Sequence, residues 1–246
     1  MIDPKTWLWI ILAMLPNLGS TLPSIFGPLI VKGFGFDEFQ TLLLNMPFGA
    51  VQTIVILIGC YAANSMKLKG PILFVCMLPV VAGTAMLYAL DRDESDQPAL
   101  LAAYYLVAFL FSANPLLLVW VVGNTAGATK KSVTLALYQA GLSAGNLIGP
   151  LLFNDEDAPE YRPGIAGVLG VFIAMVVCVV LQLCILMFMN RLQAKKRVRN
   201  GKSAEIVDQS MRTQVAAGGK DQERVVDETI DSDLTDRQND EFVYIY

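Results

Sequence analysis

The side chains of this 246-residue chain that could do chemistry are uncharged amides and hydroxyls that recur along long apolar runs. One group follows the spacing i, i+3, i+4 and i+7, so its members share one face of a helix. They are Asn17, Ser20, Thr21 and Ser24. Such side chains can hydrogen-bond a polar solute without carrying charge. Two interpretations fit Asn17: it lines a cavity, or it bonds a neighbouring helix, as polar side chains in membranes often do.

Amides recur in the second and fourth apolar runs. Asn45 and Gln52 are seven residues apart and share a helical face, and Asn114 directly precedes a proline. The first run also contains three prolines, which remove backbone donors and bend a helix. Bent helices with a polar face suit the wall of a cavity that changes shape.

The fifth run has two distinct faces. Gly141, Gly145 and Gly149 repeat every four residues, a spacing that lets two helix backbones approach closely, so we predict that they serve helix packing. Gln139 and Asn146 lie on another face, and an amide buried in lipid is expensive, which favours cavity lining. The full set of predicted cavity-lining residues is Asn17, Asn45, Gln52, Asn114, Tyr138, Gln139 and Asn146.

Several kinds of site are excluded by residue types. The chain has no histidine, which removes histidine-based proton relays, histidine metal sites and Ser/His or Cys/His catalysis. No Asp, Glu, Lys or Arg lies deep in an apolar run, and such charges usually mark ion pathways. The four cysteines lie inside apolar runs and are interpreted as packing residues. We expect no catalytic residues, no metal, no cofactor, no nucleic-acid partner and no enzymatic activity.

The elements that must position these side chains are membrane-spanning helices. Only 16% of the residues are charged, and ten of the 18 Lys/Arg lie from Arg191 onward. A spanning helix needs about 20 mostly apolar residues, and backbone in lipid must satisfy its own hydrogen bonds. We therefore predict an all-α membrane protein with a six-span bundle over residues 1–190. The predicted spans are 7–31, 39–63, 71–90, 99–123, 132–153 and 165–190.

The sidedness of Lys and Arg predicts the orientation of the bundle. The loops on the side of the N-terminus carry most of the cations, and the opposite loops carry only Lys32, Arg92 and Arg162 together with acidic clusters. Cations collect on the cytoplasmic side of membrane proteins, so six crossings leave both termini cytoplasmic. We predict that residues 191–246 form a disordered cytoplasmic tail, basic and then acidic. Its last six residues, which are rich in aromatics, fit either a partner motif or an unremarkable tail end.

Motifs spread along the chain resemble one family of transporters. They are Asp3-Pro4-Lys5-Thr6-Trp7, Gly33-Phe34-Gly35-Phe36, Thr41 to Gly49, Trp120, Asn124, Ala126-Gly127, Thr129-Lys130-Lys131-Ser132, Gly145 to Pro150, Ala158 to Gly164, and Asp233 to Tyr244. In this order and spacing they resemble the C-terminal half of major facilitator superfamily transporters of the fungal allantoate permease type, which are anion:cation symporters.

The resemblance implies the following. Such transporters have twelve spans in two halves, with the substrate bound between the halves near the midplane. This chain would then be half of a transporter for a small organic anion such as allantoate, a vitamin carboxylate or a small peptide. Proton-coupled symport by alternating access and a plasma-membrane location are implied as well. The expected partners are the lipid bilayer, the anion, and a missing N-terminal half or a second copy of the chain.

An alternative class stays open at this point. The chain could be a non-transporting membrane interaction protein, or an inactive fragment that associates with full-length relatives through its glycine face. Association without solute flux would distinguish this hypothesis from transport. An intramembrane enzyme is disfavoured, because no nucleophile or buried acid pair is evident.

Overall fold

A computed structural model describes residues 3–24, 27–28, 31, 37–91, 95–157, 161–201, 234–239 and 242–246. Within these ranges the chain is helical and contains no strand, as expected for an all-α membrane protein. The α-helices are α1 (Pro4–Gly19), α2 (Thr21–Ser24), α3 (Glu38–Met66), α4 (Lys69–Ala89), α5 (Gln97–Val107), α6 (Ala113–Gly123), α7 (Ala128–Ile148) and α8 (Arg162–Arg199). Short 3₁₀ turns occupy Ala108–Ser112, Gly149–Leu152 and Asp155–Asp157.

Local chemistry explains where several helices begin and break. Asp37 caps α3: its side chain accepts from the backbone N–H of Gln40 at 2.7 Å, and the Gln40 side chain accepts from the N–H of Asp37 at 3.3 Å. The 3₁₀ turn between α5 and α6 lies just before Pro115, whose missing N–H leaves the carbonyl of Phe111 without its helical donor. This turn stays within one continuous helical stretch, Gln97–Gly123, which corresponds to the predicted fourth span.

Four helical stretches in the described part of the chain are long and apolar enough to cross a bilayer. They are Phe39–Met66, Lys69–Ala89, Gln97–Gly123 and Arg162–Arg199. The predicted first span falls outside this group because it breaks after Gly19 into α1 and the four-residue α2. The predicted fifth span also falls outside this group, because the lysines, amides and glycines of α7 lower its mean hydropathy. Six crossings therefore remain a prediction, whereas four membrane-length helices are observed.

Two helices, α1 and α4, each pack against several others. Helix α1 packs most extensively against α7 and α8, while α4 packs against α5 and α8. Trp9 and Trp120 are both fully buried and meet edge to face, with ring centroids 4.8 Å apart. Lys5, Lys69 and Lys130 stand at the start of α1, α4 and α7, and the end of α8 lies beside them; we call this the lysine end of the bundle.

Of the region predicted to be a disordered tail, the structure describes residues 191–201, 234–239 and 242–246. Helix α8 continues to Arg199, beyond the predicted end of the sixth span at residue 190. Residues 234–239 and 242–246 pack against the lysine end, where Asp236 and Tyr244 are buried. Buried hydrogen-bond and ion-pair partners on the bundle account for this ordered placement. The segment 202–233, which carries most of the predicted tail, lies outside the described residues.

Candidate functional site

A cavity of about 320 Å³ opens at the junction of α2, α3, α5 and the following 3₁₀ turn. Among the described residues that line it, none is charged. The lining residues are Pro23, Ser24, Pro28, Leu42, Asn45, Phe48, Gln52, Tyr104 and Phe111. The volume falls at the small end of the roughly 300–1,000 Å³ of ordinary ligand sites, and the mix of apolar walls with a few polar groups is typical of them.

The amide of Asn45 is held in one orientation at the cavity wall. Its Nδ2 donates to the carbonyl of Thr41 at 2.7 Å, and its Oδ1 accepts from the hydroxyl of Tyr104 at 2.9 Å. These two bonds use one of the two amide N–H groups and one of the two oxygen lone pairs. The remaining donor and acceptor are available to a solute, with their direction set by the protein.

Aromatic and glycine residues support this arrangement. Phe48 stacks on Tyr104 with ring centroids 4.7 Å apart, which fixes the Tyr104 ring above the cavity. Gly27 lies so close to Tyr104 that an added Cβ would collide with the phenol. Gln52 lines the same wall, and its amide forms no hydrogen bond with other described residues. The cavity thus presents one oriented amide and one free amide.

Asn17 and Asn114 form a separate pair. The Nδ2 of Asn17 donates to Oδ1 of Asn114 at 3.1 Å, and the Nδ2 of Asn114 donates back to Oδ1 of Asn17 at 3.2 Å. Asn17 is buried and also donates to the carbonyl of Ala13 at 2.7 Å. This reciprocal amide pair joins α1 to α6, and neither residue lines the cavity. For Asn17 the geometry is that of interhelical bonding, one of the two interpretations drawn from the sequence.

The residues of α7 divide between a packed and an open face. A Cβ on Gly141 would lie 2.6 Å from the carbonyl oxygen of Ile10, and Cβ atoms on Gly145 and Gly149 would overlap α1 in the same way. The glycine face is therefore filled by α1, and it offers no free surface to a relative. Gln139 and Asn146 are exposed on the other side of the helix. Tyr138 is buried, and its hydroxyl has no hydrogen-bond partner among the described residues.

The structure therefore brings together only part of the predicted set. Asn45 and Gln52 share the cavity, Asn17 and Asn114 bond each other, and the α7 residues lie elsewhere. Sequence reasoning did not select Tyr104, which orients Asn45, or Phe48, which holds Tyr104. An aromatic in an apolar run gives no signal of this kind, because its role depends on which span packs beside it. In the described part of the chain, no group of three or more His, Cys, Asp or Glu could hold a metal ion.

Comparison with known proteins identifies relatives among fungal transporters. The chain is 36% identical over 182 residues to the MFS-type transporter cnsL of Penicillium expansum, covering 72% of this chain and 35% of the relative. It is 29% identical over 217 residues to the allantoate permease of Saccharomyces cerevisiae, covering 79% of this chain and 36% of the relative. It is 26% identical over 247 residues to the thiamine pathway transporter THI73 of the same yeast, covering 99% of this chain and 42% of the relative.

The chain spans less than half the length of each of these relatives. No protein-family model matches the chain, and no solved structure matches it. The chain has membrane-length apolar helices and a cavity whose described lining is uncharged. Both features agree with its similarity to several transporters. The chain is therefore similar in sequence to fungal transporters, among them one of the major facilitator superfamily type and an allantoate permease.

Proposed function

We propose that the chain forms one wall of the solute pathway in a membrane transporter for a small organic anion. The observation that carries this proposal is the amide of Asn45, which is oriented by Thr41 and Tyr104 and faces a cavity whose described lining carries no charge. A solute carboxylate or carbonyl would accept a hydrogen bond from the free N–H of Asn45 and another from the amide N–H of Gln52. The transporter names of the relatives support the same function.

The lining chemistry narrows the class of solute. Amides and a phenol recognise neutral or anionic polar groups by geometry, whereas no cation in the described lining balances a negative charge. A relative named for allantoate supports a small carboxylate, and a vitamin carboxylate or a small peptide also carries a carboxylate group. The balancing cation would come from an N-terminal half, because a second copy of this chain likewise has no cation deep in an apolar run.

The proposed mechanism is alternating access in the plasma membrane, coupled to protons. Two six-span units would rock about a site between them, with both termini of this chain in the cytoplasm. The exposed amides Gln139 and Asn146 support this arrangement, because amides at membrane depth are expensive in lipid and would face the second unit or the pathway.

The experiment reunites the chain with a first half. The chain is co-expressed in yeast with the N-terminal portion of allantoate permease, and uptake of labelled allantoate is measured. We expect Asn45→Ala to lower uptake about tenfold, since it removes the oriented amide. The matched control is Thr53→Ala on the same helix, because Thr53 is exposed and does not line the cavity. Equal uptake by the Asn45→Ala and Thr53→Ala proteins would refute the site, provided that both reach the membrane in equal amounts.

The open face of α7 also favours a second candidate function, a non-transporting membrane interaction protein. Gln139 and Asn146 would then bond a partner helix. Stable co-purification with a full-length relative, lost on Gln139→Leu, together with no uptake in any combination, would favour this candidate over transport.

A further inference from the structure

The end of the chain makes a network of bonds across the lysine end of the bundle that the proposed function does not use. Residues 234–239 and 242–246, here called the strap, contact the bundle along α1, α4, α6, α7 and α8. Their partners come from positions as far apart in the sequence as Lys5 and Gln193. A segment that simply ended in solvent would not place its polar groups in this way.

The centre of the strap is the carboxylate of Asp236, which is fully buried. One oxygen accepts from the ammonium of Lys5 and from the hydroxyl of Tyr244, the latter at 2.8 Å. The other oxygen accepts from the ammonium of Lys130 at 2.7 Å, and Lys130 also donates to Asp3 at 2.9 Å. A buried carboxylate needs such partners, because taking its charge out of water is expensive.

The electrostatics keep this centre ionised. Burial alone would raise the pKa of Asp236, but the charge of Lys5 and hydrogen bonds from both lysines outweigh it and hold the pKa below its usual value. Burial lowers the pKa of Lys5 to about 8, against the raising effect of Asp236. Burial also opposes the charge of Lys130, yet hydrogen bonds to Asp236 and Asp3 raise its pKa overall. At neutral pH one carboxylate therefore lies between two ammonium groups.

Side chains of the bundle form hydrogen bonds with the backbone of the strap. The carbonyl of Ile245 accepts from Nε1 of Trp120 at 2.9 Å and from Nδ2 of Asn124 at 3.0 Å, while the N–H of Ile245 donates to Oδ1 of Asn124 at 2.8 Å. Asn190 bonds Tyr244 in the same two-way manner, at 2.7 and 2.8 Å. Two asparagines thus hold consecutive strap residues as a strand partner would.

Further contacts tie the strap to α8 and α4. Gln193 donates to the carbonyl of Asp236 at 2.7 Å, and Lys196 donates to the carbonyl of Gln238 at 3.0 Å. The backbone N–H of Lys69, at the start of α4, donates to the carbonyl oxygen of Tyr246 at 2.6 Å. The strap therefore bridges helix ends that are otherwise separate in the chain.

We propose that the strap is a clasp that holds the lysine end of the bundle together and is released as a unit when the Asp236 cluster is broken. While it is docked, α1 and α7 are joined through their lysines to the same carboxylate, and α8 is joined to both through the strap backbone. Once it is released, the ion pair of Lys130 with Asp3 is the one that remains between α7 and the residue before α1 among the described residues. The proposal concerns the state of the chain and holds whether or not the cavity binds an anion.

The test measures docking directly in native membranes. The full chain carries Lys196→Cys and Gln238→Cys, with the four native cysteines changed to alanine, and a short thiol cross-linker joins α8 to the strap. We expect efficient cross-linking with Asp236 present and at least a fivefold lower yield with Asp236→Asn. The matched control is Arg237→Gln, since Arg237 is the neighbouring residue and its side chain is exposed; its yield should equal that of the unchanged strap.

A milder variant guards against a folding defect. Tyr244→Phe removes only the hydroxyl that bonds Asp236, and we expect a two- to threefold lower cross-linking yield with an unchanged elution profile in size-exclusion chromatography. If Asp236→Asn is not recovered as a folded protein, Tyr244→Phe decides the matter. The proposal is overturned if the unchanged strap does not cross-link, or if the Asp236 or Tyr244 variant that is folded gives the same yield as Arg237→Gln.

Discussion

At the scale of single residues, the cavity depends on one amide that is half used by the protein. Asn45 is anchored through one donor and one acceptor, so its remaining groups point in fixed directions without a loss of side-chain entropy on binding. An unanchored amide would have to be ordered by the solute itself, which reduces affinity. The hydroxyl of Tyr104 is therefore expected to affect binding of the solute through Asn45, without contacting the solute itself.

This gives a prediction for Tyr104→Phe. The change removes the hydroxyl that orients Asn45 but keeps the ring that stacks on Phe48. A neutral hydrogen bond contributes about 1 kcal/mol, so KM for uptake should rise roughly fivefold with little change in maximal rate. The matched control is Tyr105→Phe, because Tyr105 bonds the carbonyl of Leu44 and does not line the cavity. An equal KM in the two variants would contradict the assigned role of Tyr104.

A second prediction at this scale concerns acid release of the strap. The groups that face Asp236 are Lys5 on α1, Asp3 just before α1, Lys130 on α7, and Tyr244 within the strap. Because the pKa of Asp236 is lowered in the docked state, its contribution to docking is fully present above the ordinary value of 3.8 and is lost as pH falls through the lower docked value.

Cross-linking between positions 196 and 238 measures this pH dependence. The yield is divided by that of the Asp236→Asn protein at the same pH, so that the pH dependence of the thiol reaction cancels. This ratio should stay constant from pH 7 to about 5 and fall only below about pH 4. A fall of the ratio already between pH 7 and 5 would assign the release to some other group.

At the scale of elements, the contact between α1 and α7 decides how closely the bundle packs. Each residue of the glycine face (Gly141, Gly145 and Gly149) lies against α1 so closely that an added Cβ would have no room. Backbone atoms of a packed helix cannot shift as cheaply as the end of a flexible side chain. The contact between α1 and α7 within this chain thus requires glycine at these positions.

We predict that Gly145→Ala destabilises the protein. The new Cβ would overlap the carbonyl of Met14, and overpacking of this kind typically lowers the free energy of unfolding by about 1–3 kcal/mol. The matched control is Gly170→Ala on α8, where no atom lies within 4 Å of the added Cβ, and alanine is the better helix former by about 1 kcal/mol. Thermal unfolding in detergent should therefore shift down for Gly145→Ala and not for Gly170→Ala. A shift of the same sign and size for both would show that the glycine face is not tightly packed.

At the scale of the whole molecule, the described helices alternate in direction between two ends. The lysine end gathers the starts of α1, α4 and α7 and the end of α8, and the strap bonds all of them. At the other end Arg162, at the start of α8, bonds Asp91, just after α4, at 2.8 Å. Both the first described residues and the last therefore lie at the same end of the bundle.

This geometry predicts that both termini are on one face of the membrane. Tags at the two termini should be equally accessible to protease on sealed vesicles of one orientation, and the distribution of Lys and Arg predicts that this face is cytoplasmic. Strap docking gives the expectation a physical basis, because Asp236 can reach Lys5 only from the side on which α1 begins. Protection of one tag and cleavage of the other would contradict both the topology and the docking of the strap.

The sequence by itself determined those features that depend on periodicity within one segment. Apolar length predicted membrane helices, and the glycine spacing predicted a close-packing face on α7, since both properties belong to a single helix. The seven-residue spacing likewise predicted that Asn45 and Gln52 would share a face, and both line one cavity.

Only the tertiary structure decided which partner each polar side chain meets. Asn17 and Asn45 have similar surroundings in the sequence, yet one bonds Asn114 and the other is oriented by Tyr104 to face a cavity. The described residues near the C-terminus, 234–239 and 242–246, pack on the bundle because Lys5, Lys130 and Asn124 lie at one end of it and bond them. The physical reason is that a helical pattern specifies a face, whereas hydrogen bonds between distant segments depend on how the faces of several helices are brought together.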